Sequence, residues 1–502
     1  MTDRAEAGPD RGGHAGAGDG LGAGSGLTGG RQTGGAGAAG REAGRGRPFD
    51  PRFVAPLFMG AALNPINSSM IATALVSIAL AMRVPVGQTA ILISCLYLTS
   101  AIAQPVAGRL SEEFGPRRVF LAGIAVVLIA GVVGGLAGNL PTLVVTRVLI
   151  GLGTSAGYPS AMLLIRRRAT EAGLDQPPGR VLGGLTTTSA ATLAIGPAVG
   201  GVLVGWFDWR AVFWINVPVA AVAFVMALLW IAKDTETIRG HSARDVVGRI
   251  DVPGVALFGV SATALLVFLI ALPGFDAGAL CLAVAAAAAL VALELRVHNP
   301  FIDVRLLVSN AALTRTYVRY CLTLLGIYAV LYGLTQWIEA ARGLSDYQAG
   351  LVLIPMGVLS AVTGRLVSYS PRLWPSLLVS AVTLVLGAAG MLLLTHRSSL
   401  LALIGVTALF GFVAGFGNVT NQTALYKQAP AQKVGTASGL LRTSGYIGSI
   451  AAASITGVAF HDRVGDAGMH RVAIVLVGIG VVVLLMTVLD RQLVRSDRTV
   501  TG

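Results

Sequence analysis

The stretch AGALCLAVAAAAALVAL, Ala277 to Leu293, holds no charged and no amide side chain. A helix that crosses the hydrocarbon core of a bilayer needs about 20 mostly apolar residues. Runs of that kind recur along the chain, at roughly 53–79, 87–109, 118–138, 140–165, 181–205, 212–232, 252–272, 277–296, 314–338, 347–368, 374–395, 399–424, 433–459 and 471–489. They predict an all-α membrane protein with fourteen spans. Barrel strands need only about 9–11 alternating residues, so the run length favours helices.

Charge says the same. Only 12% of residues are charged, against about 25% in a soluble domain. The first fifty residues differ, with seventeen glycines and no apolar run. Such a segment buries too little to offset its ordering entropy, so residues 1–50 are expected to form a disordered tail. Nothing in them resembles a cleavable signal peptide. Cys95, Cys281 and Cys321 all lie in apolar runs without metal-like spacing. They predict small core side chains, with no disulfide, metal or other cofactor.

The net charge is +13. An even number of spans puts both termini on one side. The loops of that side, counted with the termini, carry twenty-nine of the lysines and arginines, including four assigned to the connection after the eighth span; the other side has six. Arg147 and Arg442 fall within spans. By the positive-inside rule both termini are cytoplasmic and the cell membrane is the expected location. The basic excess is spread over many loops, which argues against a nucleic-acid surface.

The phrase GRLSEEFGPRR, from Gly108, closes the second span, and GRLVSYSPRL, from Gly364, closes the tenth. Two further echoes keep almost the same offset. Arg147 to Gly151 aligns with Thr407 to Gly411, and GLTTTS from Gly184 aligns with GLLRTS from Gly439. Offsets of 256, 260 and 255 residues indicate an internal duplication shifted by eight spans. A six-helix repeat then leaves two inserted spans, the seventh and eighth, which are poor in mid-span polar side chains. The expected organisation is a bundle over 51–232, a linker with two membrane helices over 233–300, a second bundle over 301–490 and a tail over 491–502. Parallel six-helix repeats around a midplane site are a transporter architecture.

These residues resemble the major facilitator superfamily, and within it the fourteen-helix drug:proton antiporters of the multidrug efflux type. GRLSEEFGPRR is similar to the signature loop between the second and third helices of that family, through Gly108, Leu110, Gly115, Arg117 and Arg118, with Glu112 at the usual aspartate position. The resemblance implies a conformational latch in which a carboxylate holds arginines or a helix N-terminus. VTRVLIGLG around Arg147 resembles a second family motif; an arginine in mid-membrane costs several kcal/mol (~3) unless it faces a polar cavity. GGLTTTSAATLAIGPAVGG resembles the antiporter motif, through Gly183, Gly196, Pro197, Gly200 and Gly201, with Thr192 replacing the central glycine. WRAVFWINVP from Trp209, RIDVPG from Arg249, and Glu294 with PFIDVRLL resemble fourteen-helix signatures.

NSSMIATALVSI departs from the family pattern. Asn67 occupies the acidic position, and Val76 replaces a proline. Proton coupling needs a buried group that gains and loses a proton. The carboxylates left for it are Glu112, Glu339 and Glu294, all near span ends, with Arg147 and Glu339 the candidate coupling or cavity charges. Polar stripes at helical spacing mark a candidate cavity: Asn64, Asn67 and Ser68; Ser94, Tyr97 and Gln104; Tyr328, Tyr332, Gln336 and Glu339; Asn418, Asn421 and Gln422. Lipid offers such groups no hydrogen bonds. Amides and phenols predict a bulky, amphipathic, neutral or weakly charged cargo. The expected function is proton-driven efflux of drug-like compounds by a monomer whose partners are its cargo, protons and lipid. An importer or facilitator of the same fold is the alternative. A membrane enzyme is disfavoured, because the six histidines are scattered and no catalytic constellation is visible.

Overall fold

Each apolar run becomes a helix because, without water, a backbone must satisfy its own hydrogen bonds. The computed structural model describes residues 49–174, 178–234, 251–271, 274–297, 300–302, 304–368, 372–429, 434–490 and 492–493. The tail expected over 1–50 lies, as far as 48, outside the described residues. So do 235–250 of the expected linker and most of 491–502.

The helices are α1 Pro51–Met82, α2 Val86–Phe114, α3 Pro116–Gly135, α4 Leu140–Glu171, α5 Gly179–Trp206, α6 Ala211–Trp230, α7 Val252–Ala271, α8 Ala277–Glu294, α9 Ala311–Ala340, α10 Asp346–Ser368, α11 Trp374–Leu392, α12 Leu400–Gln428, α13 Val434–Ala459 and α14 Asp466–Val488. A short helix, Val304–Ser309, precedes α9. Among the described residues there is no strand. Twelve of the long helices are apolar enough to cross a membrane. The other two, α5 and α13, have 28 and 26 residues, with some side chains outside the described residues.

Short polar punctuation starts the helices. Asn139 caps α4 by accepting from the Thr142 amide at 2.9 Å, Asp276 caps α8 at Ala279 (3.0 Å), and Ser399 caps α12 at Ala402 (3.2 Å). Each satisfies an amide that the first turn leaves open. α9 carries a π-helical turn at Val330–Leu334, which re-aims the side chains of that turn.

Packing follows one rule twice. α1 lies on α5 and α6, α2 and α3 both lie on α4, and α3 lies on α6. Eight helices later, α9 lies on α13 and α14, α10 and α11 both lie on α12, and α11 lies on α14. Between the two groups, α2 packs on α13 and α5 on α10. The α7–α8 pair packs chiefly on itself, with α7 resting on α2 and α13. Only 22% of each of these two spans is buried, against 83% of α9. Ser261, one of two hydroxyl side chains in α7, donates to the Ala283 carbonyl of α8 at 3.0 Å.

Candidate substrate site

The π turn of α9 delivers Tyr332 to the boundary between the two groups. Tyr332 donates to the Ser68 carbonyl of α1 at 3.0 Å. Its hydroxyl lies 3.0 Å from that of Tyr97 on α2. The Tyr332 proton is already committed, so Tyr97 is the donor of that pair. Tyr97 packs edge-on against Tyr328 (centroids 5.3 Å apart) and tilted against Tyr446 of α13 (5.7 Å). Tyr328 stacks on Tyr332 at 5.6 Å. Tyr446 donates to Gln104 of α2 at 2.7 Å. Tyr97, Gln104, Tyr328, Tyr332 and the Ser68 backbone thus form one polar, aromatic seam. Tyr446 was missed, because its neighbours Arg442 and Thr443 gave α13 no recognisable stripe.

Other members of the stripes turn elsewhere. Asn67 donates to Asn216 of α6 at 2.6 Å and to the Leu63 carbonyl at 2.8 Å. Asn64 donates to Ser100 (3.0 Å) and Thr154 (2.9 Å). These bonds lie inside the first helix group. Asn421 accepts from Arg319 at 3.0 Å inside the second group. Gln422 faces Tyr320. Gln336 Oε1 and Asn418 Oδ1 are buried without a hydrogen-bond partner.

The charges sort in the same way. Arg147 is 1% exposed, which excludes its reaching to the membrane surface. Its Nε donates to the Leu92 carbonyl at 2.9 Å and its Nη1 to the Asn67 carbonyl at 3.2 Å, while Nη2 is buried without a partner. Arg315 and Arg319, counted above with the loop after the eighth span, stand in the first turns of α9. Arg319 is buried and ion-paired to Asp490 at 3.7 Å. Arg442 lies over the Tyr158 ring of α4, 3.5 Å from its centroid, and joins the two groups. Glu339 is buried, and neither of its carboxyl oxygens has a partner. Between α5, α9, α10 and α12, a cleft beside Leu193, Pro197, Ile327, Leu331 and Met356 holds about 30 Å³. That is room for a water rather than a drug-sized ligand, whose pockets run to roughly 300–1,000 Å³.

The carboxylate expected at the latch is a different one. Glu112 is exposed and pairs with nothing among the described residues. The N-terminus of α3 is held instead by Asp234, just beyond α6. It accepts from the Arg117 amide at 3.3 Å and the Arg118 amide at 3.0 Å, and lies 3.4 Å from the Arg167 guanidinium of α4. The Arg117 side chain donates to the Leu228 carbonyl at 2.9 Å. Gly115 has φ +95°, and a Cβ there would collide with Asp234. A Cβ on Gly108 would meet Pro159 at ordinary contact distance. Asp234 lies 117 residues from Arg117, so no local motif points to it.

The described glycines of α5 face two ways. Gly196 and Gly200 lie against Ser69, Met70 and Thr73 of α1, with no room for a Cβ, and Gly201 lies against the Asp346 backbone of α10. Pro197 is inside the helix, and its carbonyl meets Gly350. The side-chain surroundings of Gly183 lie outside the described residues. Among the described residues, no three His, Cys, Asp or Glu side chains are grouped to hold a metal.

The family model described as Major Facilitator Superfamily matches residues 57–453. An uncharacterized MFS-type transporter of Bacillus subtilis (strain 168), YwoD, is 33% identical over 454 residues, covering 88% of this chain and 98% of its own. The tetracenomycin C resistance and export protein of Streptomyces glaucescens is 29% identical, covering 84% of this chain and 78% of its own. The multidrug resistance protein Stp of Mycobacterium tuberculosis (strain CDC 1551 / Oshkosh) is 27% identical, covering 70% and 65%. Among solved structures, a mutant of the nucleoside transporter NupG superposes with a TM-score of 0.59 at 11% identity, covering 87% of this chain and 99% of its own. That likeness is one of fold.

Proposed function

Because this chain belongs to the Major Facilitator Superfamily, we propose that it exports small, amphipathic, drug-like compounds across the cell membrane, driven by protons moving inward. The reading has fourteen spans: two pseudosymmetric six-helix bundles, α1–α6 and α9–α14, with α7–α8 inserted between them and both termini cytoplasmic. The chain works as a monomer and needs no cofactor. The observation that carries it is the pair of contacts α2 on α13 and α5 on α10. An eight-helix shift turns one contact into the other, as expected where two related bundles rock about a midplane site. Relatives named for resistance and export support the direction of transport.

In this reading the described form is closed. With about 30 Å³ in the cleft, cargo enters only when the bundles part. The tyrosine seam supplies ring faces and hydroxyls once they do. Asp234 steadies the cytoplasmic end of the first bundle by holding the α3 N-terminus, where a carboxylate is favoured by the helix dipole. Glu339 is the proton carrier. Among the described residues neither of its oxygens has a hydrogen-bond partner, and a buried carboxyl left uncompensated when charged is the kind of group that proton coupling requires.

The test is uptake into liposomes carrying the purified protein, with an imposed pH gradient and labelled drug-like compounds. Accumulation should follow the gradient and collapse when it is dissipated. Glu339→Gln should leave exchange without a gradient intact while removing gradient-driven accumulation. Accumulation that ignores the gradient favours the second reading, a facilitator or importer. That reading is motivated by Asn67, which is bonded to Asn216 where the family pattern places an acid.

A further inference from the structure

We propose that the seam selects organic anions: flat aromatic compounds bearing a phenolate or carboxylate, handed between Arg442 and Arg147 along the tyrosine faces. This deepens the export reading and rests on it, naming the cargo class for the same seam.

Two buried arginines, Arg147 and Arg319, and the half-buried Arg442 allow a comparison. Arg319 has an acid, Asp490, together with Asn421 and Thr316. Arg147 and Arg442 have no acid among the described residues. Arg147 spends two of its nitrogens on backbone carbonyls and leaves Nη2 shut from water with nothing to donate to. Arg442 rests on the Tyr158 ring and faces the Tyr446 hydroxyl. A cation withdrawn from water without a counter-ion is strongly unfavourable. It is relieved if a passing ligand supplies the counter-ion.

The two arginines are joined, not isolated. Tyr97 and Tyr332 stand within electrostatic reach of Arg147. From Tyr97 the rings continue to Tyr446 at 5.7 Å, and Tyr446 reaches Arg442. Every link between the two cations is therefore a ring face or a phenol hydroxyl. Rings of a cargo stack on such faces, and an anionic oxygen accepts strong, charge-assisted bonds from the guanidinium groups. A cationic cargo has less to gain. The Tyr158 face that would attract it is already covered by the Arg442 guanidinium. Glu339, the nearest acid on α9, lies seven residues beyond Tyr332, about 10 Å further along the helix.

Fluorescein and rhodamine 6G share a xanthene core and differ in charge. Titration of each dye with the purified full-length protein, read by fluorescence anisotropy, should show fluorescein binding at least tenfold more tightly. Arg442→Gln and Arg147→Gln should each lower fluorescein affinity tenfold or more and leave rhodamine 6G unchanged or improved. Arg442→Lys should keep the preference for the anion. Should the glutamine variants fail to fold, the wild-type and Arg442→Lys preferences decide alone. Equal or tighter binding of rhodamine 6G by the wild-type protein overturns the assignment. Proteoliposomes then separate the two readings. Anion-selective binding without transport of either dye removes export and keeps the site; preferential transport of rhodamine 6G removes the anion site and keeps export.

Discussion

The seam of α5 with α10 and the seam of α2 with α13 are related by a shift of eight helices, yet they are built from different material. At α5 and α10 the contact is backbone on backbone: a Cβ on Gly350 would stand 2.6 Å from the Pro197 carbonyl, and one on Gly201 would stand 2.5 Å from that of Asp346. At α2 and α13 glycine closes only the end where α2 begins, with Gly87 against the Gly457 carbonyl. The middle is filled by Tyr97, Tyr446 and Gln104. A surface of bare backbone leaves no side chains to rearrange and suits a pivot. A surface of rings and hydroxyls changes partners cheaply and suits a path.

The sharpest way to break that contrast is to thicken the pivot. Gly350→Leu drives a branched side chain into the Pro197 backbone, and overpacking of this kind costs about 3 kcal/mol. The expected result is a large fall in folded protein, measured by thermal unfolding in detergent, with transport abolished in what remains. Tyr446→Leu, on the other seam, should cost about 1 kcal/mol for its lost hydrogen bond and leave the protein folded. Equal losses at both positions would erase the distinction between pivot and path.

How much of this was legible from residues alone depends on the range of the physics involved. Hydropathy is local, so the apolar runs became helices, twelve of them long and apolar enough to cross a membrane. The errors are at ends, as in α2, which continues past Arg109 to Phe114 because Ser-Glu-Glu adds another helical turn at the interface. Arg319 was misfiled with a loop because charge suggests water, whereas Asp490, 171 positions away, makes its burial tolerable. The polar stripes were visible, but a stripe does not say which neighbour it meets. Asn67 and Asn421 turn inward to Asn216 and Arg319, while Tyr97 and Tyr332 turn to each other.

The latch offers the next test, because two carboxylates compete for it and only one touches the helix. Asp234 accepts two amides at the start of α3 and pairs with Arg167. Asp234→Asn keeps the shape and removes the charge, which should cost about 1–2 kcal/mol, since bonds to charged acceptors exceed neutral ones. The expected readout is a lower unfolding temperature and a faster hydrogen exchange of the first α3 amides. Glu112→Gln should change neither. An effect of Glu112→Gln as large as that of Asp234→Asn would return the latch to the position that the motif suggests.

The smallest expected effect is the most informative about the path. Tyr332→Phe keeps the ring stack with Tyr328 and removes one hydroxyl. The Ser68 carbonyl then loses its donor across the bundle boundary, and the Tyr97 proton loses its acceptor. Two bonds at the low end of the net range, about 0.5 kcal/mol each, together contribute about 1 kcal/mol, so the closed form should lose about fivefold in population relative to open forms. A cysteine introduced as Ser68→Cys, in a background with Cys95, Cys281 and Cys321 replaced by alanine, reports that change by its labelling rate with a membrane-impermeant thiol reagent. Labelling should accelerate about fivefold with Tyr332→Phe and no more than slightly with Tyr317→Phe, whose hydroxyl bonds the Ala437 carbonyl within the second bundle. If both changes accelerate labelling alike, the hydroxyls stabilise the fold in general and the cross-boundary pair is not a closure contact. If only Tyr332→Phe does so, opening breaks that bond, and the tyrosine seam is the surface that parts.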